Sequence, residues 1–342
     1  MKVSLKKRHF QFKRPSGTSR GILTEKTSWF IVLEEASQTG IGECSLLPGL
    51  SPDDRPEFES TLKLVAHALS KRESLPDLTT WPAIAMGVET VLRSLKCSDT
   101  YTLFPSDFTS GITTLPINGL VWMGDFDFMK TQIDSLLEAG YDCIKLKIGA
   151  LNFQQELELL QYIRNRYDAK TIQIRVDANG AFSSQQALNK LNQLSAFELH
   201  SIEQPIAPGQ WEAMAELCQK SPLPIALDEE LIGVYSAKDK QEMLSTVKPH
   251  YLILKPSLLG GFSAAEEWIT CAESQQIGWW VTSALESNLG LNALAQWTYS
   301  LGVNMPQGLG TGSLYVDNIQ GPLYIDKGCL GLSKSIPWQK EL

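Results

Sequence analysis

The stretch CIKLKIG, Cys143–Gly149, puts Ile144, Leu146 and Ile148 on one face of a strand and Lys145 and Lys147 on the other. Alone it fits two structures. One is an amphipathic strand with wet lysines. The other is a barrel strand whose apolar face meets helices and whose lysines point inward. Its neighbours separate the two. IQIRVDANG ends a strand at Asp177, LHSIEQP at Glu203, PIALDEE at Asp228 and YLILKPS at Lys255, in steps from Lys147 of 30, 26, 25 and 27 residues. One strand–helix unit of an α/β barrel uses about that much chain, since eight units take about 250 residues. Strand C-termini meet at one end of such a barrel. Three carboxylates and three lysines, distant in sequence, are therefore expected in one pocket.

Outward from that stretch, residues 111–313 alternate strand and helix. The strands expected are LPING, CIKLKI, IQIRVD, LHSIE, LPIALD, YLILK, WWVTS and Pro306–Leu309. Seven amphipathic helices separate them, between Phe126 and Leu301. Asn152 and Ser183 suit helix N-caps, and Gly140 suits a helix stop. The fold class is α/β, a (β/α)7β barrel. Residues 1–110 read as an α+β domain: strands at Val3–Lys13 and Ser28–Glu35, helices at Arg55–Ser70 and Ile84–Leu95. Two polar, turn-rich segments, Arg14–Arg20 and Leu46–Asp54, read as loops. Residues 314–342 are expected to return to this domain and complete its sheet.

Composition narrows the function. Hydrophobic residues make up 43% of 342, and the formal net charge is −8. Those values suit a globular protein and carry no basic footprint for nucleic acid. No apolar run is long enough for a bilayer, and the basic N-terminus lacks the apolar core of a secretory signal. Cys44, Cys97, Cys143, Cys218, Cys271 and Cys329 form no C-x-x-C pair, which suits reduced thiols and a cytoplasmic location. The sequence leaves oligomeric state open. His200 and His250 fall at strand beginnings, the end of a barrel remote from chemistry.

The convergent residues suggest a reaction. Asp177, Glu203 and Asp228, with no His or Cys among them, select a hard divalent cation: Mg²⁺, with Mn²⁺ as the alternative. The partner expected is a small carboxylate. Removing its α-proton leaves an enediolate, which cations must stabilise. Lys147 suits the base, its pKa pushed down by burial and by the neighbouring Lys145 and metal charges. Lys255, on the sixth strand, faces it from across the barrel.

The order K-x-K, D-x-N, E-Q-P, D-E, K-P at this spacing resembles the enolase superfamily in its muconate-lactonizing-enzyme-like branch. The resemblance implies a modified TIM barrel with an N-terminal capping domain. It implies Asp177, Glu203 and Asp228 as metal ligands, Lys147 and Lys255 as the catalytic lysines and Lys145 as their support. Arg175 and Asn179 match the neighbours of the first ligand, and the loops holding Ser16 and Gly17 and spanning Leu46–Asp54 match the substrate-facing cap segments. Thr282–Gln296 and Gln307–Asn318 are similar to members that dehydrate a succinyl-bearing hydroxycyclohexadiene carboxylate on the way to menaquinone. That likeness points to Ser283, Glu286, Ser287 and Gly310 as substrate contacts, with Gly312 allowing close backbone approach. Loop capping is the alternative for the serines and Glu286. Two opposed lysines also suit racemisation of N-succinylamino acids. Dipeptide epimerases of the branch carry D-x-D where this chain reads SALES. A metal-binding barrel without catalysis is the alternative of another class.

Overall fold

The computed structural model describes residues 1–18 and 21–339, with the side chains of 16–18 excepted. Three strands open the chain: β1 (Lys2–Thr18), β2 (Gly21–Glu35) and β3 (Gln38–Ser45). They pair antiparallel in that order. The expected break at Arg14 is not there. A register shift between Gln11 and Ser16 absorbs the polar residues, and pairing resumes at Ser16 with Leu23. A bulge of this kind lets a strand continue through residues that do not fit its ladder. Helices α1 (Phe58–Lys71) and α2 (Pro82–Lys96) cover one face of the sheet. Ile31, Leu33, Val65, Ile84 and Val91 form the buried layer between them.

After β4 (Leu115–Pro116), a parallel sheet runs through β5 (Gly119–Val121), β6 (Cys143–Lys147), β7 (Gln173–Asp177), β8 (Ser201–Glu203), β9 (Ile225–Leu227), β10 (Tyr251–Leu254) and β11 (Gly278–Val281). Each strand neighbours the next in sequence. The helices between are α3 (Phe126–Glu138), α4 (Phe153–Arg164), α5 (Ser184–Leu194), α6 (Trp211–Lys220), α7 (Ala237–Val247), the short α8 (Pro256–Leu259) and α9 (Gly261–Ser274), with α10 (Asn288–Ser300) after β11. Asn152 caps α4 by accepting from Gln154 N, whereas Ser183 stands at the N-cap of α5 without a side-chain bond. Gly140 takes φ +80°, which frees the chain to turn after α3.

The eighth barrel position is two residues long. Gln307 bridges Ile117 and Gly308 bridges Thr282, both parallel. Backbone bonds Asn118 N to Gln307 O and Gly308 N to Val281 O close the ring between first and last strands. LPING divides: Leu115–Pro116 leaves the barrel and pairs with β13 (Cys329–Leu332), which pairs with β12 (Leu323–Asp326). The C-terminal segment therefore meets the cap only in part. Lys13 N bonds Leu314 O, Val316 N bonds Gln11 O, and Trp338 stacks on Tyr101. The terminal hairpin itself joins the start of the barrel.

No described helix is long and apolar enough to cross a membrane. The six cysteines are unpaired.

Candidate active site

The inward alternation of β6 holds. Ile144, Leu146 and Ile148 are buried against the helices. Fully burying such a side chain is worth about 1.5–3 kcal/mol, so a one-residue slip that exposed all three would be strongly disfavoured. Lys145 and Lys147 are thereby directed into the barrel. The parallel register sets Lys147 beside Asp177 and Asp177 beside Glu203. Asp228 follows β9 directly, and Lys255 follows β10.

The amines lie among the carboxylates. Lys145 Nζ is 2.9 Å from Asp177 Oδ2 and 2.6 Å from Glu203 Oε2. Lys147 Nζ is 3.0 Å from Asp177 Oδ2 and donates to Asn179 Oδ1 at 2.7 Å. Lys255 Nζ contacts Asp228 Oδ2. Asn179 takes a left-handed φ of +43°, its N–H donates to Asp177 Oδ1 at 3.0 Å, and its Nδ2 donates to Glu229 Oε1 at 3.0 Å. Asn tolerates that backbone region better than most residues. Gln204 ties β8 to the turn after β9: its Oε1 accepts from Asp228 N, and its Nε2 donates to Glu230 Oε2.

Burial alone would push every carboxyl here up and every amine down. For Lys145 burial is outweighed by Asp177, Glu203 and Asp228, and the ammonium is held above its ordinary value. Lys255 is raised likewise, with Asp228, Glu203 and Glu229 overcoming burial. Burial also works to raise Asp177, but Lys145 and Lys147 together hold it below the usual range. Glu203 goes the other way, raised by burial and then by the charge of Asp177.

The acidic set does not close on one point. Among the described residues, no three acidic, histidine or cysteine side chains are close enough to share an ion. The lysine amines stand among these carboxylates, Lys145 between Asp177 and Glu203 and Lys255 against Asp228. The donor chemistry still fits a hard cation: Glu203 is buried, and its Oε1 has no hydrogen-bond partner. A buried carboxylate oxygen without a donor is costly, and a divalent ion would satisfy it.

Above these groups lies a cavity of about 280 Å³ whose wall includes Lys145, Lys147, Asp177, Asn179, Glu229 and Lys255. In an eight-position barrel β6 and β10 are opposite, so Lys147 and Lys255 enter from opposite sides. Leu47 and Leu50 from the cap supply an apolar part of the wall.

Residues 129–335 match the family described as Enolase C-terminal domain-like. The chain belongs to the enolase superfamily. Over 97% of this chain and 99% of the relative, it is 46% identical to an o-succinylbenzoate synthase of Desulfotalea psychrophila (strain LSv54). The crystal structure of MenC from that organism superposes with a TM-score of 0.87 at 43% identity, covering 97% of this chain and 99% of the other. An N-succinyl-L-Arg/Lys racemase of Bacillus cereus is 27% identical over 52% of this chain and 47% of its own.

Several positions singled out from the superfamily pattern fall elsewhere than expected. Arg175 points inward but lies outside the cavity wall. Its guanidinium stacks over Trp280 at 4.2 Å and donates to Pro306 O at 2.8 Å, so it braces the eighth position. Glu286 accepts from Ser257 Oγ at 2.6 Å and from Ala284 N at 2.8 Å. Ser287 caps α10 and donates to Glu43 Oε2 at 2.6 Å. Both lie in a buried seam between cap and barrel, where Ser287 serves the first amides of α10 and Glu286 ties the loop before that helix to Ser257. Ser283 and Gly310 do line the cavity, and Ser283 Oγ is 2.6 Å from Thr311 Oγ1. Gly312 is small because a Cβ would meet Asn288 Oδ1 at 2.8 Å, a packing reason. Ser19 and Arg20 lie outside the described residues, as does the side chain of Ser16, while the backbone of Ser16 and Gly17 runs in β1. His200 bonds Ser201 Oγ, and His250 accepts from Ile225 N, both at strand beginnings.

Glu229, Thr311 and Asn118 line the cavity without having been singled out. Alternation gave no signal for Glu229, since a short 3-10 turn, Glu229–Leu231, swings it inward.

Proposed function

We propose that this chain is an o-succinylbenzoate synthase, a carbon–oxygen lyase of menaquinone biosynthesis acting in the cytoplasm. It converts 2-succinyl-6-hydroxy-cyclohexadiene-1-carboxylate to 2-succinylbenzoate and water. One observation carries this reading: Lys147 and Lys255 enter a single pocket from opposite sides, beside Asp177, in a chain whose near-full-length relative is such a synthase.

Asp177, Glu203 and Asp228 are the residues that would hold Mg²⁺, or Mn²⁺ in its place. Such an ion, when bound, supplies positive charge to the substrate carboxylate as the α-carbon loses its proton. Lys147, as the free amine, takes that proton. Its contacts with Asp177 and Asn179 fix where the amine points. Lys255 stabilises the resulting enediolate from the other side through its positive charge. The ring C–O bond then breaks, its electron pair leaving with oxygen, and the Lys147 ammonium returns the proton so that water departs. The ring becomes aromatic, which makes the step downhill. Lys145 holds Asp177 and Glu203 in place and works against the protonation of both. Leu47 and Leu50 shield the ring from water.

The test is product absorbance from the cyclohexadiene substrate. Lys147→Ala should lower turnover by about 10³-fold or more, the scale of a lost general acid–base group, in a protein that still folds cooperatively. Retention of a tenth of the wild-type rate removes Lys147 from the role. The opposed lysines also favour a second reading, racemisation of N-succinylamino acids. Solvent deuterium entering the α-carbon of those compounds, without product from the diene, decides for it.

A further inference from the structure

Helix α2 lacks a cap of its own. Its N-cap residue is Trp81, which makes no side-chain capping bond, and Pro82 follows at the first turn. The exposed amides of that turn are met from elsewhere in the chain. Asp53 accepts from Ala83 N at 3.1 Å with both oxygens and from Ile84 N at 3.3 Å, and it is fully buried. An acceptor here satisfies amides that would otherwise be orphaned, and the helix dipole favours its negative charge.

Asp53 ends the cap segment whose Leu47 and Leu50 face the cavity. The segment is knotted on itself. Leu47 N donates to Ser51 Oγ at 2.8 Å, Ser51 N to Leu47 O at 2.9 Å, and Gly49 N to Asp54 Oδ2 at 2.8 Å. It therefore moves as a unit, and Asp53 is its tether. The other end of the tether is fixed to the barrel. Glu89, in the middle of α2, accepts from Phe262 N at 2.5 Å and Ser263 N at 3.2 Å, the first amides of α9. Helix α2 is thus a strut between the barrel and the pocket's apolar wall.

We propose that Asp53 is a positioning residue that sets the distance of Leu47 and Leu50 from the catalytic lysines, and with it the affinity for the substrate's ring. It touches no substrate itself. Around it stand Arg55, whose guanidinium lies 3.6 Å over the Trp81 ring, with Tyr235 and Cys44 also near enough for its charge to act on them. The kinetic part of the test rests on the dehydration proposed above, and the exchange part does not.

Asp53→Ala, Asp53→Asn and Asp53→Glu are compared in the full chain by steady-state kinetics on the cyclohexadiene carboxylate and by amide hydrogen exchange without substrate. The alanine variant should raise KM at least about fivefold with kcat within twofold, and should speed exchange in residues 46–54 and at Ala83 and Ile84 while the barrel strands stay protected. The asparagine variant, which keeps an acceptor, should return KM to within about twofold. The glutamate variant keeps the charge but lengthens the tether by one methylene, so KM should again rise in a folded protein. Should the alanine variant fail to fold, the glutamate variant carries the test. Unchanged KM in the glutamate variant, or a loss of melting temperature with both kinetic constants intact, overturns the proposal. Exchange unaltered around Ala83 in the alanine variant overturns it independently of any turnover.

Discussion

Replacing Lys145 with Met removes a buried ammonium that lies 2.9 Å from Asp177 Oδ2 and 2.6 Å from Glu203 Oε2. At an effective dielectric of about 20, each contact is worth about 6 kcal/mol of gross attraction, much of it offset by desolvation. Removing one partner of a buried ion pair costs about 3–5 kcal/mol net, because the remaining charges are stranded. For a chain of this length that corresponds to a fall in melting temperature of roughly 4–7 °C in EDTA. Two further signatures separate this from a packing loss. First, a divalent cation supplies the missing charge, so saturating Mg²⁺ should recover at least half of the deficit. Second, Glu203 is raised by burial and by the Asp177 charge, and without Lys145 it rises further. An acid raised in the folded state stabilises at low pH and loses that contribution as pH rises. The deficit of Lys145→Met should therefore shrink from pH 8 to pH 5. Calorimetry at three pH values, with EDTA and with Mg²⁺, measures all three. A deficit below about 1 kcal/mol, or one identical with and without Mg²⁺, refutes the reasoning.

Arg175→Leu should lower the melting temperature by several degrees, since it removes the bond to Pro306 O and the stack on Trp280. KM should stay within about twofold, and a tenfold rise in steady-state assays would return Arg175 to the substrate site. Asp53 bears on pH: burial pushes it up to about 7 from 3.8. Its contribution to stability is complete below about pH 4 and lost as pH rises through 7, a span worth about 4 kcal/mol. Thermal melts of wild type and Asp53→Asn should converge or cross over that window, and parallel curves across it contradict the shift.

How far the site could be read from sequence depended on what fixed each residue. Strand alternation fixed Lys145, Lys147 and Asp177, because a slip by one residue would turn Ile144 and Leu146 into the barrel. Strand ends fixed Glu203, Asp228 and Lys255. Arg175 obeyed the same alternation and pointed inward, but alternation says nothing about depth. It sits one layer below Asp177, where Nη1 donates to Pro306 O beside the eighth strand and Nε to Gln173. Glu286 and Ser287 followed a strand end too, yet α10 begins at once: its first amides claim Ser287 Oγ and Glu43, while Glu286 is taken by Ala284 N and Ser257 Oγ. The eighth strand was weak in sequence because two bridged residues suffice to close the ring. Leu115–Pro116 left the barrel for the terminal hairpin, a pairing more than 200 residues distant that no local pattern encodes.

The seam between cap and barrel explains why a pocket built from both can hold one shape. Glu43 of β3 accepts from Ser287 N, Ser287 Oγ and Gly290 N at the start of α10, and from Ser28 Oγ within the cap. Lys26 is buried beside it, donating to Ser28 Oγ and Ser45 Oγ, and burial lowers its pKa against the raising charges of Glu43 and Glu286. Glu286 in turn accepts from Ser257, two residues after Lys255. The cap is thus joined through satisfied, directional bonds to the segments that follow the two last catalytic strands, Lys255 after β10 and Ser283 after β11. Apolar contact alone would let the two halves slide, since it is non-directional. A charged seam admits one register, because every alternative strands a buried carboxylate. Glu43→Gln keeps the shape but removes the charge that Lys26 and the α10 amides share. It should therefore lower kcat along with stability, whereas Asp53 variants should act on KM. If Glu43→Gln lost stability with kcat intact, measured in the same absorbance assay, the seam would hold the halves together without setting Lys255.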